Sequence, residues 1–250
     1  MNEAAFAAMG RESGNWVKRG RQRLIRHLIR SHAPRGELRI LDIGAGHGGN
    51  VGTLAELGVV DAVECMPGAE RLGAHPDIEH FYAESVPFDL DRQYEVICAA
   101  EVLEHIDDDR AAMRWVFDHL VPGGLFIATV PGHPWLYGAH DRAVGHVRRY
   151  TRRELLGAMP AGSRIRDRGW FVWSLAPAAI AARSAWEIRS RLAGSTSKQQ
   201  GPRRGRVDRL LGGVLDLELS ALELGFRAPV GYSLFIAASR EGPGSPGRPE

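Results

Sequence analysis

Three histidines in this sequence could do proton chemistry. His105 closes the run EVLEHI directly after Glu104, His140 adjoins Asp141, and His146 follows in the same segment, DRAVGHVRRY. An imidazole changes protonation near neutral pH, and a neighbouring carboxylate can orient it, so each is a candidate general base. A second group is suited to binding. The run ILDIGAGHGG places Asp42 two residues before Gly44, with Gly46 and Gly48 following. Glycines there permit a tight turn and let a ligand approach bare backbone. Glu64, at the end of the next apolar run, suits a ribose diol. Because Gly44, Gly46 and Gly49 also satisfy GxGxxG, the glycines alone give a nucleotide-like cofactor without choosing among such cofactors.

The elements that must hold these groups alternate between strand-like and helix-like patterns. Val17, Leu24, Ile25, Leu28 and Ile29 recur at helical spacing over residues 15–32. LRILDI (38–43), VVDAVE (59–64), IEHFY (78–82), YEVICAA (94–100) and LFIATV (125–130) read as strands, separated by helices at 49–57 and about 108–120. RIRDRGWFV (164–172) and GYSLFIAAS (231–239) read as the last two. This alternation predicts βαβ units: an α/β, doubly wound, mostly parallel seven-stranded sheet with helices on both faces. Continuously apolar runs such as ILDI and EVICAA are what doubly covered parallel strands require. A helical insertion, about 173–228, precedes the last strand; its middle, GSTSKQQGPRRGRVDR, reads as a flexible loop, and 241–250 as a disordered tail. Residues 1–240 then form one domain, with an acceptor-side loop at 132–160. Within that loop Thr151 and Glu154 make a capping box for a helix beginning at Arg152.

Composition narrows the partners. Lys+Arg 32 against Asp+Glu 30 gives a formal charge of +2, which argues against nucleic acid as the main partner. Cys65 and Cys98 form no CxxC pair, so neither a disulfide framework nor a cysteine-based zinc site is suggested. With no secretory pattern and no run of ~18–20 apolar residues, a cytoplasmic protein is expected. The tryptophan- and arginine-bearing stretch 168–192 suits peripheral contact with a membrane surface.

Asp42 helps to choose the cofactor, since a carboxylate there repels a pyrophosphate and favours a cationic amino acid. Here the sequence resembles the class I, seven-strand methyltransferases that use S-adenosylmethionine (SAM), nearest in look to small-molecule and ubiquinone-pathway O-methyltransferases. ILDIGAGHG, Glu64, AESVPF, YEVICAAEVLEHI and LVPGGLFIATVP occur in family order and spacing over residues 38–131, and GYSLFIAAS fits the family's antiparallel last strand. The resemblance implies that Asp42, Gly44, Ala45 and Gly46 line the methionine end of SAM. It also implies that Glu64 binds the ribose, that Ala83 and Glu84 flank the adenine, and that Ala100 and Glu101 close over the sulfonium. Tyr82 departs from the aspartate the family often has for the adenine amino group.

SAM carries an already activated methyl, so the protein must align a nucleophile, exclude water and remove a proton from a hydroxyl acceptor. His105, His140, Asp141 and His146 are the catalytic candidates, and Trp135, Tyr137, Arg149 and Tyr150 the acceptor-side ones. No metal is expected. The alternative is the likeness of Glu101-Val102-Leu103-Glu104-His105 to the ExxEH metal site of ubiquinone-biosynthesis O-methyltransferases, a run that also organises a helix start in relatives without metal. The expected function is transfer of a methyl from SAM to a small or lipid-like acceptor, at oxygen. An RNA methyltransferase, an NAD-binding oxidoreductase and a non-catalytic SAM-binding protein stand as alternatives. The oligomeric state is not legible.

Overall fold

In the computed structural model, residues 16–193 and 205–242 are described. Residues 243–250 of the tail expected at 241–250, and the loop residues 194–204, lie outside them. Seven strands form one sheet: β1 (Arg39–Ile43), β2 (Val59–Val63), β3 (His80–Tyr82), β4 (Tyr94–Ala100), β5 (Leu120–Pro131), β6 (Ser163–Phe171) and β7 (Ser233–Arg240). Their order is β3-β2-β1-β4-β5-β7-β6. β7 runs antiparallel between β5 and β6, and the other pairs are parallel. The expected doubly wound sheet with an antiparallel last strand is therefore the observed one.

Strand periodicity divides the core. Ile40, Val96, Cys98, Leu125 and Ile127 face one side of the sheet, where they meet Leu24, Ile25, Leu28 and Ile29 of helix α1 (Trp16–His32). Leu41, Ile97 and Phe126 face the other, against Met113 and Val116 of α3 (Asp109–Asp118) and Leu155 of α5 (Arg152–Gly157). Helix α2 (Val51–Ala55) is shorter than the 49–57 pattern predicts. β5 is longer than the predicted 125–130: the VPGG segment joins it through a register shift opposite Tyr94–Val96.

Residues 132–160 hold a short α4 (Ala139–Val144) and α5, whose capping box is present: Glu154 N–H donates to the Thr151 hydroxyl at 3.2 Å and Thr151 N–H to the Glu154 carboxylate at 2.7 Å. The insertion consists of α6 (Ala176–Ala193) and α7 (Gly205–Glu223). Residues 205–209, expected in a flexible loop, form the first turns of α7 instead. Apolar residues at 207, 210 and 211 carry the helical pattern to that point, and the sequence reading stopped at its arginines. Of the stretch 168–192, residues 168–171 belong to β6 and the helix begins only at Ala176. Among the described residues no helix is long and apolar enough to cross a membrane.

The two helices that matter most for the cofactor end are α1 and α7, which pack on each other. Gly20, mid-helix in α1, allows this: a Cβ there would lie 2.3 Å from a Leu215 methyl. The Arg23 guanidinium donates to Glu223 at 2.7 and 2.9 Å and so ties the pair together.

The strand order reverses direction between β1 and β4, so their carboxyl ends splay and leave a crevice. Both halves of the sequence-predicted site end there.

Candidate functional site

The cofactor side of the crevice is built on β1 and β2. Gly44, Gly46 and Gly48 adopt φ of 66°, 59° and 75°. The first turn is pinned by Gly44 and Ala45 N–H groups donating to the Val63 carbonyl at 2.8 and 3.1 Å. A Cβ on Gly44 would come within 2.4 Å of a Val102 methyl, whereas one at Gly46 would meet almost nothing. Gly44 is therefore required for packing; Gly46 leaves open the space a ligand needs. A cavity of about 220 Å³ begins there, lined by Gly46, His47, Gly68, Arg71, Leu72 and His75. Glu64 is buried at the tip of β2 and accepts from the backbone N–H groups of Gly46 and Met66, both at 2.9 Å. Its carboxylate is thereby fixed in orientation, with lone pairs to spare for hydroxyl donors.

Asp42 is the exceptional group. It is fully buried, and neither carboxylate oxygen has a hydrogen-bond partner. Burial, reinforced by the negative charge of Glu64 and only partly offset by the nearby Asn50 amide, pushes its carboxyl up to about 7. An unpaired buried carboxylate costs several kcal/mol, of the order that a cationic ligand group recovers. The residues therefore fit the amino-acid end of SAM: Asp42 has an unmet need for a cation, and the backbone beside it is bare at Gly46.

Helix α1 closes this side, a contribution the sequence reading did not assign. Gln22 donates to the Gly49 carbonyl at 2.6 Å, Lys18 packs over Gly49, and Arg21 lies 3.5 Å from Glu101. Glu101 ends β4 at φ 60°, and Ala100 before it is half-buried. Ala83 and Glu84 are exposed after β3, and the Tyr82 ring tilts onto Phe88 at 5.6 Å.

The acceptor side is organised by Asp141. This carboxylate is fully buried, yet four donors saturate it: His146 Nδ1 and Arg149 Nε at 3.0 Å, Gly138 N–H at 2.9 Å, and Arg183 from α6. Burial opposes ionisation, but hydrogen bonds from His146 and Arg149 and the charges of Arg149 and Arg183 win, holding the carboxyl well below the usual range. Asp141 is thus a fixed anion that orients His146. Arg183 had no signal in the sequence, because only the packing of α6 on α4 brings it close.

Glu104, His105 and His146 come together. One ligand atom from each lies within 4.8 Å of the others, and the two imidazoles meet edge to face with centroids 4.6 Å apart. His105 Nδ1 lies 3.0 Å from the Gly145 carbonyl, which can only accept, so that nitrogen carries the proton. His146 Nδ1 donates to Asp141 by the same logic. His105 Nε2 is left as an acceptor, and His146 Nε2 is 3.8 Å from Glu104. Both oxygens of Glu104 are buried without a hydrogen-bond partner. Burial, then the charge of Glu101, raises its carboxyl well above the ordinary range. Two imidazoles and a carboxylate therefore converge where a proton or a cation can be held. Burial lowers His105 to about 4, and burial with Arg183 lowers His140 to about 4, so both are neutral at neutral pH.

The remaining acceptor-side candidates separate. Trp135 is 67% exposed, and the Tyr137 hydroxyl donates to the His146 carbonyl at 2.9 Å. Arg149 and Tyr150 are turned inward instead of toward an acceptor. Arg149 bridges Asp141 and the Gly132 carbonyl, and the Tyr150 hydroxyl donates to Asp109 at 2.8 Å. Both are too buried to line an open pocket and serve as braces beneath the loop. Glu101, part of the ExxEH alternative, faces Arg21; His146 takes the third place in the cluster.

A family model described as a methyltransferase domain matches residues 17–170. The ubiquinone biosynthesis O-methyltransferase of Ruegeria pomeroyi is 36% identical over 110 residues, covering 40% of this chain and 44% of that protein. That of Pseudomonas aeruginosa is 28% identical over 152 residues, 52% of this chain and 66% of the relative. The chain thus spans about half the length of the curated relatives it matches. Among solved structures, the N-methyltransferase NodS from Bradyrhizobium japonicum WM9, in complex with S-adenosyl-L-homocysteine (SAH), aligns with a TM-score of 0.52 at 18% identity, over 95% of this chain and 99% of that one. A SAM-dependent methyltransferase from Mesorhizobium loti aligns at 0.53 and 19%, over 85% and 95%. At these identities the likeness is one of fold.

Proposed function

This chain belongs to the class I SAM-dependent methyltransferases, and on that premise we propose that it transfers the SAM methyl to an oxygen of a small or lipid-like molecule. The observation that carries the reading is the His146–Asp141 pair beside Glu104 and His105, just beyond the end of β4. A hydroxyl acceptor must lose its proton as the methyl arrives, and an imidazole oriented by a permanent anion is suited to take it. The O-methyltransferase activity in ubiquinone biosynthesis for which the curated relatives are named supports oxygen over nitrogen.

In this reading SAM supplies the activated methyl, and the chain's residues do the rest. Asp42 accepts the ammonium of the methionine part, Gly44, Ala45 and Gly46 give it room, and Glu64 holds the ribose hydroxyls. Ala83 and Glu84 flank the adenine, while Ala100 and Glu101 close over the sulfonium. His146 is the base, Asp141 its orienting partner, and His140 and His105 are neutral neighbours able to take its place. Trp135 and Tyr137 edge the acceptor space. The protein acts as one domain over residues 1–240 and works in the cytoplasm.

The test is transfer of radiolabelled methyl from SAM to a panel of phenols and catechols, with and without a polyprenyl tail, beside amines and transfer RNA. Labelled phenol ethers are expected, with kcat reduced at least ~100-fold in His146→Ala while SAH still binds. Methylation of amines alone, or full turnover in both His146→Ala and His140→Ala, would sink the reading.

One observation favours a second reading. The partnerless buried carboxylate of Glu104 facing His105 and His146 fits a divalent cation as well as a proton. Those three residues would hold the ion, which would polarise the acceptor hydroxyl. Exhaustive chelation that leaves turnover intact dismisses this reading and leaves the base mechanism standing.

A further inference from the structure

Helix α7 carries two apolar faces. Leu215, Leu219 and Leu222 are buried against α1 and the sheet. On the flank turned away from them, Val207, Leu210, the half-buried Val214, Leu217 and the half-buried Ala221 recur at alternating steps of three and four, and Leu224 continues the spacing in the turn after the helix. That 3.5-residue repeat is the seam of two paired helices, whereas a stripe facing a single core follows 3.6. Leu210, Leu217 and Leu224, one per heptad, are 68%, 74% and 89% exposed, and Phe226 just beyond the helix end is 50% exposed. At roughly 100 Å² of open apolar surface for each large side chain, the stripe offers about 400–500 Å². This is the scale of the largest patch on a typical monomer, ~300–600 Å², and of the apolar centre of one ~800 Å² side of a stable interface.

We infer that this flank of α7 is the interface of a homodimer, in which a second copy of the chain lays the same seam against it about a two-fold axis. Self-complementarity is what an isologous contact requires, and a seam of like leucines supplies it. The inner face is immobilised by the bonds from Arg23 to Glu223 and Ser220, so the outer seam is presented on a fixed helix. Gly213, where an added Cβ would meet open space, leaves room for a second backbone to approach. Asp216 and Glu223 on this helix are both paired with Arg23 of α1, and a membrane surface is the competing occupant that the experiment separates from a second copy.

Sedimentation velocity on the full chain, from about 1 to 100 µM, tests the inference. A concentration-dependent dimer is expected. Leu217→Glu is expected to weaken it at least ~100-fold, because the two-fold axis places the charge twice at the centre of the seam. Leu224→Glu gives the same result by a second route, while Leu217→Met keeps the dimer. Unchanged circular dichroism and an unchanged thermal shift with SAH in the glutamate variants show that the fold and cofactor end are intact. A wild-type chain that stays monomeric at 100 µM overturns the inference, as does a dimer that survives both glutamates. A monomer that floats with anionic lipid vesicles overturns it too, and makes the membrane the occupant.

Discussion

Asp42 and Asp141 are both fully buried aspartates, one at each side of the same crevice, and they are opposites. Asp42 has no hydrogen-bond partner and its carboxyl is pushed up to about 7; Asp141 has four donors and is held far below the usual range. A buried charge left unpaired destabilises the fold, and a protein keeps one where something else will pair it. A buried charge paired on every side belongs to the scaffold. The difference assigns Asp42 to the ligand and Asp141 to the architecture that aims His146.

The largest effect expected from this contrast is at Asp141. Asp141→Ala leaves Arg149 and Arg183 buried without their anion, at a cost of about 3–5 kcal/mol. A fall in the urea midpoint of the size that cost implies checks it; a near-neutral outcome would break the comparison. Asp42→Asn should behave in the reverse manner. At pH 8 the variant is expected to be as stable as the parent or up to ~2 kcal/mol more so, since an uncompensated charge is removed. SAH affinity by calorimetry should meanwhile fall on the order of 100-fold. If the variant loses stability and keeps its affinity, Asp42 is structural and the assignment fails.

This contrast was only half legible in the sequence. ILDIGAGHG announced the turn, the strand and the acid, because each is local: apolar run, glycines and carboxylate lie within a few residues. YEVICAA was read to the residue as β4, since a buried parallel strand is continuously apolar. The acceptor side is a product of long-range packing. His105 and His146 are brought together by the loop's return across the sheet, and Arg183 reaches Asp141 from a helix that no short pattern ties to it. Arg149 and Tyr150 looked like acceptor contacts because polar and aromatic residues in a loop look the same whether they face outward or inward. The Arg21–Glu101 pair was missed for a similar reason: an arginine on the polar side of an amphipathic helix reads as solvated.

Proton linkage sharpens the contrast with a smaller effect. Asp42's folded value is raised above its unfolded value near 3.9, so the folded protein binds more protons between about 4 and 7, and the stability tied to this group falls as pH rises through that window. His105 and His140 act in the opposite sense. Their folded values near 4 lie below the unfolded 6.5, so their contribution is complete above 6.5 and is lost as pH falls toward 4. A ligand that needs Asp42 ionised should release a proton on binding, with affinity rising up to about tenfold per pH unit below 7 and levelling above it. Calorimetry of SAH binding in buffers of different ionisation enthalpy measures that release. A pH-independent affinity between 5.5 and 7.5 would show that the cationic end of the ligand does not meet Asp42.

The smallest effect concerns how the acceptor-side loop is held. Its far end is fixed by the Thr151–Glu154 capping box, an exposed pair of bonds to backbone at the start of α5. An N-cap of this kind contributes about 1 kcal/mol, so Thr151→Ala should lower stability by that amount. It should leave SAH binding unchanged and turnover within a few-fold, because Asp141 and Arg149 brace the part of the loop that carries His146. The comparison between the two aspartates requires this order: the buried anion positions the base, and the surface cap only closes the helix behind it. A Thr151→Ala variant that lost turnover as severely as Asp141→Ala would mean that the loop is positioned from its surface end, and that the saturation of Asp141 is a consequence of that placement and not its cause.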